Sequence, residues 1–93
     1  MILEIVSPEA TLFSGEVTSV AVPGVNGEFQ MLNNHAPIVS LLKQGNVKII
    51  GSNFKIAKEF QAKFNKVNEQ TYWLAITSGT LEMNGNKVIV LAD

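Results

Sequence analysis

Few residues in this chain are of a type that does chemistry. There is one histidine, His35, no cysteine, no arginine, and eight carboxylates spread along 93 residues. Nucleophilic catalysis needs a base within reach of the nucleophile, and usually a third group that orients the base. His35, next to Ala36-Pro37, completes no such set and reads as a turn or packing histidine. Glu28 and His35 together would leave a metal with two protein ligands, a poor site. Gly24 and Gly27 have neither the spacing nor the strand-to-helix context of a phosphate loop or dinucleotide fingerprint. No catalytic residue, metal or cofactor is therefore expected, and the chain reads as a non-catalytic interaction module.

These residues sit in one stretch, 22–37, around which the chain is organised. Pro23 cannot donate to a ladder, so a strand is expected to end there. Gly24 and Gly27 permit a tight reversal before Phe29 and Met31, and Asn33-Asn34 favour a turn. Pro37 launches the apolar run Ile38–Leu42 in extended geometry. Before this stretch, Ile2–Val6 reads as a strand stopped by Ser7-Pro8-Glu9, Ser14-Gly15 as a turn, and 16–22 as a half-buried strand. After it, Lys43–Asn46 is a turn, Val47–Ile50 and Tyr72–Thr77 are strands, and Asn84-Gly85 marks a hairpin with a type I′ turn into Val88–Leu91. Residues 65–70 read as a loop. Phe54, Ile56, Phe60, Ala62 and Phe64 alternate as in a strand, yet Ala57, Phe60, Phe64 and Val67 fit helical spacing among good helix formers. A short amphipathic helix near Ala57–Phe64 is the preferred reading, with Phe60 and Phe64 turned inward. Many short strands with regular turns argue an all-β sandwich or barrel.

Composition bounds the function. The length suits one domain, which buries roughly 60–65% of its unfolded surface. The chain is 46% apolar and 16% charged with net charge −1, which is ordinary for a folded domain. Without arginine it lacks the forks that grip phosphate and base edges, so no nucleic-acid partner is expected. The first ten residues hold no basic residue and do not form a signal peptide. No apolar run nears the ~18 residues of a membrane span, so direct membrane insertion is not expected.

The order of motifs adds a resemblance. Pro23-Gly24-x-x-Gly27-Glu28-Phe29, followed by Leu32-x-x-His35-Ala36-Pro37, resembles the epsilon subunit family of bacterial F-type ATP synthases, whose mitochondrial counterpart is the delta subunit. Leu3–Glu9 with Leu12–Val17, the run Lys43–Ile49, Gly79–Met83 and Asn86–Asp93 are similar to further pieces of that family in the same order. Gln30 and Ser78 stand where the family commonly has glycine, and the connection from Ile50 to Tyr72 is longer than in many relatives. The resemblance implies a flattened β-sandwich of about ten strands over residues 1–93, without the C-terminal helical hairpin of longer relatives.

It also implies a role. The family's domain is a non-catalytic rotor subunit at the foot of the central stalk, bound to the gamma subunit and the c-subunit ring. It couples proton transport to ATP synthesis, peripheral to the cytoplasmic face of the bacterial plasma membrane. Carried over position by position, Gly27, Glu28, Phe29 and Asn33 face the c-ring, while Ser7, His35, Ala36 and Ser40 lie near gamma. Inhibition and ATP binding reside in the family's C-terminal helices, so no specific ATP binding is expected. The competing reading is a free-standing β-sandwich module for carbohydrate or peptide.

Overall fold

A computed structural model describes residues 1–52 and 55–93. It contains ten strands: β1 (Ile2–Val6), β2 (Thr11–Glu16), β3 (Ser19–Gly24), β4 (Gly27–Met31), β5 (Ile38–Leu42), β6 (Gly45–Ile50), β7 (Phe64–Asn68), β8 (Thr71–Ile76), β9 (Gly79–Asn84) and β10 (Lys87–Ala92). They form one curled sheet in the order β2-β1-β10-β9-β5-β3-β6-β8-β7, with β4 paired to the other edge of β3. The expected all-β sandwich is thus present as two five-stranded layers, β2-β1-β10-β9-β5 and β4-β3-β6-β8-β7. They are joined where β5 turns into β6 and both reach β3.

Alternation explains the core. Leu3 and Ile5 on β1, Leu81 and Met83 on β9, and Val88 and Val90 on β10 are almost wholly buried. From the second layer they meet Val20, Val22, Met31, Val47, Ile49 and Leu74. β1, β9 and β10 keep period two, so one face fills the interior and the other meets solvent, while β3 is buried along almost its whole length. Among the described residues no buried side-chain nitrogen or oxygen lacks a hydrogen-bond partner.

Several sequence expectations change here. β3 runs through Pro23 to Gly24 instead of stopping at the proline. The Pro23 carbonyl accepts the Lys43 N–H at 2.9 Å. The N–H that proline lacks would point to the same edge, into the gap where pairing passes from β6 at Ala21 to β5 at Gly24. Ser14-Gly15 is likewise no turn but the middle of β2, held in register by Glu4 and Leu3 of β1. The β9–β10 hairpin is present, but Asn84 pairs with Lys87, so its two turn residues are Gly85 and Asn86. Gly85 has φ +63° and Asn86 is not among the residues with positive φ, the sign pattern of a type II′ turn and not of type I′.

The ambiguous segment resolves into a 3₁₀ helix over Lys58–Lys63 with no fully buried residue, not an amphipathic α-helix. A six-residue stretch gains too few intrahelical bonds to hold an α-helix, and a tight 3₁₀ coil delivers the chain to the next strand. Phe60 packs half-buried against the core and Phe64 is buried, both inward as expected. Residues 65–68, read as loop, are β7, which pairs with β8 through Asn65↔Trp73 and Lys66↔Tyr72. Mostly polar and solvated, this edge strand shows little of the alternation that marks a strand in sequence. Phe54, part of the same reading, lies outside the described residues.

Candidate interaction surface

The first layer presents an apolar outer face. Val39 and Leu41 of β5 point outward at 77% and 63% exposure, and Leu91 of β10 is 50% exposed. Register sets them on one face: Leu41 lies opposite Thr80, which pairs with Leu91, which pairs with Val6, while Val39 lies opposite Glu82. Sequence reasoning assigned none of these residues a binding role. Their signal is the parity of β5, in which Ile38, Ser40 and Leu42 turn inward and the equally apolar Val39 and Leu41 do not.

Of the four residues expected near gamma, Ser7 lies at one end of this face, His35 and Ala36 lie together at the other, and Ser40 sits within β5 with its side chain turned inward. Ser7 follows Val6 at the Leu91 end, and its hydroxyl donates to the Ala10 carbonyl at 3.2 Å, closing the β1–β2 turn. His35 and Ala36 lie beyond the other end, where the Asn34 N–H donates to Asn86 Oδ1 at 3.3 Å. Four to five strand residues separate the two ends, about 15 Å. His35 Nδ1 lies 2.7 Å from the Ala36 carbonyl oxygen, a bond within its own turn. Ser40 is half-buried, and its hydroxyl donates to the Leu41 carbonyl at 3.3 Å.

The second layer offers a polar corner. A two-residue turn, Val25-Asn26, joins β3 to β4, and Gly27 just beyond it has φ +122°, a conformation open to glycine. Glu28 follows at the tip, paired in register with Pro23. Phe29 turns the other way, and a Cβ on Gly24 would stand 2.7 Å from its ring. Phe29 is therefore an anchor for the hairpin more than an outer contact. Asn33 follows the far end of β4, roughly 15–20 Å along the chain from Glu28, so these two expected ring contacts are not brought together. The neighbours Glu28 does have come from other strands. Lys48 Nζ of β6 lies 3.0 Å from Glu28 Oε1, and the same ammonium stands 4.6 Å from the centroid of the Trp73 ring on β8. Ala21 leaves a hollow of about 320 Å³ between these side chains. Gln30 keeps ordinary strand pairing with Ala21 and donates to Ser19 Oγ at 3.3 Å.

Among the described residues no group of three His, Asp or Glu side chains could hold a metal ion. No described helix is long and apolar enough to cross a membrane.

Comparison with known proteins gives the family. The sequence model for the ATP synthase delta/epsilon chain β-sandwich domain matches residues 1–93, and the chain belongs to that family. It is 37% identical over 91 residues to the ATP synthase epsilon chain of Chlorobaculum tepidum, covering 98% of this chain and 86% of that one. The epsilon chain of Chlorobium limicola is 40% identical with the same coverage. That of Wolinella succinogenes is 36% identical, and the match spans 58% of its length. These relatives are a subunit of the synthase, not its catalytic chain. The fold is shared with a chain in the Tetrahymena thermophila mitochondrial ATP synthase central stalk and c-ring, with TM-score 0.71, 13% identity, and coverage of 99% of this chain and 62% of that one. A chain of the Euglena gracilis mitochondrial ATP synthase F1 and c-ring gives TM-score 0.76 at 17% identity, with 99% and 49% coverage.

Proposed function

We propose that this domain works in the central stalk of a proton-translocating F-type ATP synthase. It binds gamma through the outer face of β5, β9 and β10 and meets the c-ring at the β3–β4 hairpin. Turning with both, it couples proton flow to ATP synthesis at separate catalytic sites. In a bacterium this places it at the cytoplasmic face of the plasma membrane, held there by its partners.

The observation that carries the reading is the exposure of Val39, Leu41 and Leu91 on one outer face. Several large apolar side chains exposed on one sheet face support reading it as a face that a partner covers. Family membership points to gamma as that partner, and Ser7, His35 and Ala36 would lie at its rim.

Coexpression with gamma tests this. The wild-type chain should copurify with gamma, and the Val39→Asp, Leu41→Asp double variant should not, while its circular dichroism stays that of the native fold. Gamma capture that is indifferent to both substitutions, or absent for the folded native chain, would overturn the assignment.

A further inference from the structure

We propose that Glu28, Lys48 and Trp73 act as one unit, in which Lys48 and Trp73 are positioning residues that orient the Glu28 carboxylate toward the c-ring. This rests on the reading of the β3–β4 hairpin as the ring-facing corner. The ring then meets a fixed, net-neutral ion pair in place of a free anion.

The geometry supplies the reason. Ala21 pairs with Gln30 on one side and with Lys48 on the other, and Lys48 pairs with Trp73, so one outward row crosses β4, β3, β6 and β8. A lysine alone on such a row would sample many rotamers. Here its stem crosses the small Ala21 toward β4 while the indole face draws the ammonium at 4.6 Å. The carboxylate at the hairpin tip is thereby tied to two strands of the sheet through one 3.0 Å contact.

The same contact sets what the corner can recognise. Lys48 bonds Oε1, and the Glu28 side chain stays 50% exposed, so Oε2 can accept a hydrogen bond from outside. A cation approaching Oε2 would also approach the Lys48 ammonium, whereas a neutral donor meets no such repulsion. The matching chemistry is an amide or hydroxyl donor on a polar loop of the ring.

Titrating the complex of gamma and this chain onto detergent-solubilised c-ring tests the unit. Glu28→Gln and Lys48→Met should each weaken ring binding by about fivefold, the double variant no more than either alone, and Lys48→Arg should retain it. Affinity for gamma should not change in any of them. Ring binding that is unchanged or tighter in Lys48→Met, with Glu28→Gln still weak, would mean that the ring reads a free carboxylate and would overturn the proposal. A parallel loss of gamma affinity would indicate general damage and overturn it equally. If Glu28→Gln binds the ring normally, the ring-facing reading of this corner itself fails, a result distinct from the other two.

Discussion

Gly79 of β9 lies directly against the carbonyl oxygen of Leu91 on β10, so closely that a Cβ on Gly79 would overlap it. The obstructing atom belongs to the backbone of a strand that carries Val88 and Val90 into the core, so it cannot swing aside. Gly79→Ala should therefore destabilise the domain by about 1–3 kcal/mol through overpacking. Gly85→Ala meets no neighbour within 4 Å but would hold alanine at φ +63°, costing about 1–2 kcal/mol from backbone strain alone. Urea unfolding of the two variants measures both, and a neutral Gly79→Ala would contradict the packing described for β9 and β10.

Phe60, within the 3₁₀ helix, and Phe64, directly after it, should divide unequally. Phe64 is 7% exposed, and Phe64→Ala should cost about 3–5 kcal/mol. Phe60 packs on the core from a half-buried position, so Phe60→Ala should cost roughly half as much. Chemical denaturation at a fixed temperature distinguishes them. Equal losses would mean that Phe60 is buried as deeply as Phe64.

Charge reversal at the hairpin tip should be felt within the domain as well as by its partner. In Glu28→Lys two ammonium groups share the place of a 3.0 Å ion pair that is half exposed on the Glu28 side and one-third exposed on the Lys48 side. Solvent screening limits the penalty to about 1 kcal/mol, less at high salt. The expected result is a small drop in melting temperature that shrinks as salt is added. A salt-independent drop would point to a packing defect at the hairpin.

The hydrogen bond from the Asn34 N–H to Asn86 Oδ1 ties the loop before β5 to the β9–β10 turn. Asn86→Ala removes the acceptor but keeps the turn backbone, and should cost about 0.5–1.5 kcal/mol at most. Amide exchange at Asn34 should quicken in this variant while exchange at Val22 and Leu81 does not. Unchanged exchange at Asn34 would mean that water replaces the side chain without loss.

Much of the fold was legible because alternation and turn chemistry are local. Val88–Leu91, Val47–Ile50 and the presence of the β9–β10 hairpin, though not its turn residues or type, announced themselves in this way. Pro23 misled because its tolerance depends on which edge of β3 changes partner, a property of β5 and β6 and not of the proline. The strand at 64–68 was missed because a mostly polar edge strand buries little beyond Phe64. The site was legible only in part. Glu28 and the residues near His35 came from motif order, but Lys48 and Trp73 reach Glu28 through register across separate strands. Val39 and Leu41 look like core residues until the inward partners of β5 are known.

The first strand and the last lie side by side in parallel, Leu3 opposite Val88 and Ile5 opposite Val90. β1 is thus completed by residues made some 85 positions later. Such a pairing has high sequence separation and slows folding relative to local hairpins. During synthesis it also imposes an order. The layer β2-β1-β10-β9-β5 cannot close until Lys87–Ala92 has left the ribosome, and until then β1 and β9 stand with open edges where β10 will insert. A nascent chain halted before Lys87 should show the β1 amides that face β10 open to exchange, and these should gain protection as β10 emerges, while the β1 edge paired with β2 changes less.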